Sequence, residues 1–103
     1  MIVIAGRTRL RQSALEQAVT AAAGIAKTSR DEPGCLDYRF SIDVEEPLVL
    51  LLFEQWESNA ALDTHFATPH FAAFSDVLLS SADGPADFTR YEILSQAPLF
   101  GGG

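Results

Sequence analysis

From Ile2 to Leu10 the chain alternates, with Ile2, Ile4, Gly6, Thr8 and Leu10 on one side and Val3, Ala5, Arg7 and Arg9 on the other. A period of two predicts a strand over residues 2–9. The period then lengthens: Leu15, Ala18, Val19, Ala22, Ile25 and Ala26 recur at helical spacing. This predicts an amphipathic helix whose alanine face can approach a sheet closely. Ser13 and Glu16 fit a capping box at its start, and Pro33 in Glu32-Pro33-Gly34 stops it. Residues 35–43 alternate again, Leu36, Tyr38, Phe40 and Ile42 against Asp37, Arg39, Ser41 and Asp43, a strand with one wet face. After the turn-like Glu45-Glu46-Pro47, residues 48–56 are apolar at nearly every position. Such a strand is buried on both sides and belongs near the sheet centre. Ser58 can cap a short helix through Ala60, Leu62 and Phe66. Thr68-Pro69 supplies the N-cap and first residue of another that carries Phe71, Phe74, Val77 and Leu78. Gly84-Pro85 ends it, and residues 87–94 alternate once more as a fourth strand.

The order strand, helix, strand, strand, helices, strand is the α+β, ferredoxin-like (split βαβ) plan, a four-stranded antiparallel sheet with helices on one face. Residues 1–96 form the predicted single domain and residues 97–103 a flexible tail ending in Gly101-Gly102-Gly103. Because helices cover only one face while the third strand is apolar on both, a second copy should cover the other. The expectation is a homodimer packed sheet to sheet, a barrel-like α/β assembly.

Composition narrows the partners. The 103 residues include 7 Lys or Arg against 14 Asp or Glu, a formal charge of -7, the wrong sign for neutralising phosphates. Nucleic acid is not an expected partner. The longest apolar run, residues 48–53, is far short of a membrane span, which needs roughly 20 residues. Arg7 and Arg9 come too early for a signal-peptide apolar stretch, and the lone Cys35 forms no internal disulfide, so the expected location is cytoplasmic.

Candidate chemistry is concentrated between residues 53 and 74, where Phe53, Trp56, Phe66, Phe71 and Phe74 accompany His65 and His70. Rings with a few convergent polar groups suit a flat apolar ligand, although an ordinary core explains the same spacing. The two histidines straddle the Thr68-Pro69 corner, and no Cys, Asp or Glu stands nearby at a zinc-like spacing, so no metal is expected. His70 sits in the first turn of a helix, whose dipole disfavours its cationic form; it reads as a base or as a surface residue. Glu54 and Trp56 share a strand face. A carboxylate amid Leu50-Leu51-Leu52-Phe53 needs a partner, with Arg7, Arg39 and Arg90 as candidates, or else a role in a site. Phosphate loops, Cys-x-x-Cys and Gly-x-Ser-x-Gly are absent from the sequence, and Cys35 reads as a small buried residue beside a turn.

Glu32-Pro33-Gly34-Cys35-Leu36 with Tyr38 and Asp43, Phe53-Glu54-Gln55-Trp56-Glu57-Ser58, Ala60-Ala61-Leu62, His65 and Thr68-Pro69-His70-Phe71 together resemble the antibiotic biosynthesis monooxygenase family over nearly the whole chain. The resemblance implies a dimeric ferredoxin-like fold with a pocket between sheet and helices. It also implies one of several activities: cofactor-free oxygenation of quinols or anthrones, haem degradation, or isomerisation of a phosphorylated sugar. The chain departs from the anthrone oxygenases at Leu52, where they carry asparagine, and at Leu62, where they carry tyrosine. Gly6-Arg7-Thr8 lacks the first-strand asparagine of the haem-degrading branch. What is left is similar to the small quinol monooxygenase-like members. On that resemblance, the expected reaction is cofactor-independent oxidation of a small aromatic or quinol substrate with dioxygen as co-substrate. His65 or His70 would be the base, Glu54 would orient it, and Trp56, Phe71 and Phe74 would stack on a ring lined also by Tyr38, Phe40 and Phe66. An isomerase or lyase on the same scaffold, and a non-catalytic dimer holding a hydrophobic ligand, are the alternatives.

Overall fold

A computed structural model describes residues 1–101; the expected glycine tail extends to residues 102 and 103, outside the described residues. The elements run β1 (Ile2–Arg9), α1 (Leu15–Arg30), β2 (Cys35–Ile42), β3 (Val49–Trp56), α2 (Asn59–Phe66), α3 (Pro69–Ser81) and β4 (Asp87–Glu92). All four strands are antiparallel in the order β2-β3-β1-β4, so the near-continuous apolar run does become an interior strand. This is the ferredoxin-like α+β arrangement. None of the described helices is long and apolar enough to cross a membrane.

Alternation sorts the sheet into two faces. Ile2, Ile4, Tyr38, Leu50, Leu52 and Trp56 join Ala18, Ala22, Ile25 and Ala26 of α1, Leu62 of α2 and Phe74 of α3 in one buried cluster. The alanines let α1 lie close on the strands, as its spacing predicts. Among the described residues, no helix lies over the opposite face. There Phe53 is 41% exposed and Tyr91 49%, with Leu51, Val3 and Ala5 partly buried beside them.

Three local expectations change. Gln12–Ala14 forms a single tight helical turn ahead of α1, whose N-cap position is then Ala14, with no side-chain cap. Ser13 is thus spent inside that turn and the capping box does not form. A register irregularity between Cys35 and Asp37 takes Leu36 out of the inward set, leaving it half exposed. The fourth strand ends at Glu92, two residues short of its alternating pattern, because Ile93 donates to the Met1 carbonyl where β1 itself begins.

Candidate active site

Between α2, α3 and the sheet lies a cavity of about 290 Å³, walled by Ile4, Leu52, Phe66, Phe71, Phe74 and Phe88. Its polar lining includes Tyr38, Glu54 and Arg90. The helices that close it are fixed by their caps. Ser58 accepts the Ala61 N–H at the start of α2, and Thr68 accepts the Phe71 N–H at the start of α3, with Pro69 as first helical residue. Both caps stand where the sequence places them.

Glu54 is the buried carboxyl of this cavity, only 4% exposed. None of the three expected arginine partners reaches it. Arg7 and Arg39 pair in register with Leu51 and Phe53, which puts them on the open sheet face, and Arg39 instead holds Asp37 at 2.9 Å. Arg90 donates to Asn59 at 3.0 Å. The carboxyl is served by a neutral donor, Trp56 Nε1, which donates to Oε1 at 2.9 Å, and the Tyr38 hydroxyl lies close by. Burial raises the pKa, the Trp56 N–H and the Tyr38 hydroxyl only partly offset it, and the charge of Glu32 raises it further, so Glu54 is pushed up to about 7. Tyr38 is itself driven well above the normal tyrosine range, first by burial and then by the charge of Glu54, and keeps its proton.

Behind Tyr38 lies a second group of polar side chains. His65, 0% exposed, has Nε2 3.5 Å from the Tyr38 hydroxyl, while its Nδ1–H donates to Oε2 of Glu32 at 2.7 Å. His70 Nε2 donates to the same oxygen at 2.9 Å. Burial lowers the His65 pKa despite the opposing Glu32 charge. For Glu32 burial acts upward, but the bonds from His70 and His65 outweigh it and the carboxyl is held below its ordinary value. Anionic Glu32 accepts from both rings, and a neutral His65 protonated at Nδ1 turns the lone pair of its Nε2 toward the Tyr38 hydroxyl.

Periodicity gives Glu32 no role beyond ending α1. Its contribution comes from the turn at Gly34, which has φ of 84° and where a Cβ would come within 2.6 Å of the Ala61 Cβ. That close approach of turn to α2 carries Glu32 to a histidine 33 residues later. The expectation that no carboxylate stands near the histidines is therefore corrected: ligand atoms of Glu32, His65 and His70 all lie within 4.8 Å of one another. These are the described residues that could hold a metal ion. The N···O separations of 2.7 and 2.9 Å are those of hydrogen bonds, so an ion would have to displace both imidazole protons.

Of the residues expected in the site, Tyr38, Glu54, Phe66, Phe71 and Phe74 line the cavity. Trp56 is completely buried behind Glu54, edge-on to Tyr38 at 6.3 Å and beside His65 at 4.8 Å. Phe40 packs between Tyr38 and Phe74 and faces a different depression, against α1. His70 faces a shallow groove between α1 and α3. Thus the structure brings Glu54 to the cavity and both histidines to the side away from it. Cys35 is inert as a nucleophile, since burial and neighbouring carboxylates push its thiol up to about 11.

Residues 1–77 match the family model described as antibiotic biosynthesis monooxygenase. The chain is 36% identical over 98 residues to the uncharacterized protein sll1783 of Synechocystis, covering 95% of this chain and 67% of that one. It is 32% identical over 80 residues to YgiN of Escherichia coli, named a probable quinol monooxygenase, covering 70% of this chain and 77% of YgiN. A Deinococcus radiodurans crystal structure assigned to antibiotic biosynthesis monooxygenases superposes with a TM-score of 0.90 at 26% identity, over 98% of this chain and 100% of its own. Rv0793 from Mycobacterium tuberculosis shares the fold, with a TM-score of 0.87 at 24% identity over 94% of this chain and 98% of Rv0793. Family model, relative and fold agree: the chain belongs to the antibiotic biosynthesis monooxygenase family.

Proposed function

We propose that this chain is a cofactor-independent monooxygenase that oxidises a small aromatic, quinol-type molecule with dioxygen, with Glu54 as the base. The carrying observation is a carboxyl pushed up to about 7 that lines an otherwise ring-walled cavity. Such a group takes a proton efficiently near neutral pH. The name of the E. coli relative supports the substrate class.

Deprotonation of a phenolic hydroxyl by Glu54 leaves an electron-rich phenolate in a water-poor cavity. The phenolate passes one electron to dioxygen, and the resulting radical pair couples to form a ring C–O bond. Loss of the proton from that carbon and cleavage of the O–O bond leave a quinone carbonyl and expel water. One oxygen atom stays in the product, the other leaves as water, and all electrons come from the substrate, so no reductant is required. Phe66, Phe71 and Phe74 hold the ring. Trp56 positions Glu54, while His65 and Glu32 position Tyr38 beside it. This assignment moves the base from the histidines to the carboxyl. The open sheet face with Phe53 and Tyr91 supports assembly as a homodimer.

The test is oxygen uptake by purified, chelator-treated protein on a panel of quinols. Uptake above the buffer background that disappears in Glu54→Gln is expected. Uptake that requires added metal, or that persists in the variant, overturns the reading, and turnover without oxygen would favour an isomerase.

A further inference from the structure

Ile4 of β1 pairs with Glu54 of β3 on one side and with Arg90 of β4 on the other. Glu54 and Arg90 therefore stand level on the same sheet face, separated by two strand spacings, about 10 Å between backbones. Both line the cavity, with Ile4 as part of the floor between them.

Arg90 is held in this position from α2. Its guanidinium donates to Asn59 Oδ1 at 3.0 Å and lies 5.9 Å from the centroid of the Phe66 ring. Neither contact neutralises it, and among the described residues it makes no ion pair with a carboxylate. Arg90 is solvent-exposed on the edge strand at the rim of the cavity, and in a chain with formal charge -7 an arginine placed there without an acidic partner offers an anion-binding position. Guanidinium is suited to that task by its planar donor fork.

We propose that Arg90 binds an acidic substituent, so that the preferred ligand is an aromatic molecule with a hydroxyl at one end, facing Glu54, and a carboxylate at the other, facing Arg90. This deepens the oxygenase reading in that it places the ligand in the same cavity. A volume of about 290 Å³ admits a ring system of this kind but little beyond it. The rings supply the sequence-tolerant apolar contact, and the two ends fix orientation.

Calorimetric binding of para-hydroxybenzoate and of its methyl ester, in anaerobic buffer, tests the inference without requiring turnover. The acid is expected to bind about tenfold more tightly than the ester, since one charge-assisted contact separates them. Added salt should narrow the difference. Arg90→Gln, which can still bond Asn59, should abolish the preference while leaving ester binding close to wild type. Arg90→Lys, which keeps the charge, should retain part of it. Equal affinities in the wild type, failure of both ligands to bind, or a preference that survives Arg90→Gln would overturn the assignment. An equal loss for both ligands in that variant would reduce Arg90 to a clasp between β4 and α2. A preference for the acid without oxygen uptake on any quinol leaves this inference standing and removes the oxygenase; uptake with equal affinities does the reverse.

Discussion

Trp56 donates its indole N–H to Oε1 of Glu54 across 2.9 Å, the two side chains standing two residues apart on the helix-covered face of β3. The bond favours the ionised carboxyl and so works against burial, which raises its pKa. Trp56→Phe keeps a ring in the core and removes only the donor. The expected result is an alkaline shift of the pH–rate profile and about a tenfold lower rate at neutral pH. A profile that stays in place while stability alone falls would make Trp56 packing only.

Glu54→Gln preserves the shape of the cavity and the bond to Trp56 while removing the base. A positioned base contributes roughly a hundred- to ten-thousand-fold, so oxygen uptake should fall by that factor while the variant stays folded. His70→Ala is the matching control. Its side chain is turned from the cavity, and its removal should change the rate by no more than about threefold if proton abstraction belongs to the carboxyl.

Glu32→Ala should destabilise the fold by about 1–3 kcal/mol in urea titration, because it leaves the Nδ1–H of a fully buried His65 without an acceptor. The cost of His70→Ala should be smaller, its side chain being 29% exposed and able to reach water. Equal costs would mean that the turn after α1 is held by other contacts.

Much of the fold is legible as periodicity. The face of each residue on β1 follows from alternation, and the place of β3 inside the sheet follows from its lack of alternation. Ser58 and Thr68-Pro69 locate the starts of α2 and α3 because capping is a local property. The site is less legible for the same physical reason. The two-residue spacing puts Glu54 on the same face as Trp56 within an apolar run, but that Arg7 and Arg39 cannot reach it depends on strand register across the sheet. Glu32 meets His65 only through the fold, in a turn shaped by Gly34. Which side of Tyr38 the histidines occupy depends on how α2 packs, and sequence spacing carries no such information.

Phe53→Asp tests the open face. Phe53 is 41% exposed beside Leu51, Val3 and Ala5, and placing a charge there should split a sheet-to-sheet dimer into monomers without unfolding the chain. Light scattering at micromolar concentration reads the outcome. A wild-type monomer removes the dimer, and a variant that still dimerises moves the interface elsewhere.

Stability should depend on pH in a way that separates the two carboxyls. Glu54 has its pKa raised from 4.5 to about 7, so between those values the native chain binds more protons than the unfolded chain and stability falls as pH rises. At 1.36 kcal/mol per pH unit the full difference is about 3 kcal/mol, an upper figure for a buried group. Glu32 and His65 act in the opposite direction. Their pKa values are lowered from 4.5 and 6.5, the unfolded chain binds more protons, and stability falls as pH drops through that range. Below 4.5 wild-type stability should fall as pH drops, through Glu32; between 4.5 and 6.5 His65 opposes Glu54; from 6.5 toward 7 Glu54 acts alone and stability should fall as pH rises. Glu54→Gln should keep the acid limb and lose the decline toward neutral pH. Urea unfolding from about pH 3, below the 4.5 where the Glu32 limb begins, up to about 7 measures both curves, and a variant that still loses stability as pH rises toward 7 would show that Glu54 does not carry the shifted proton.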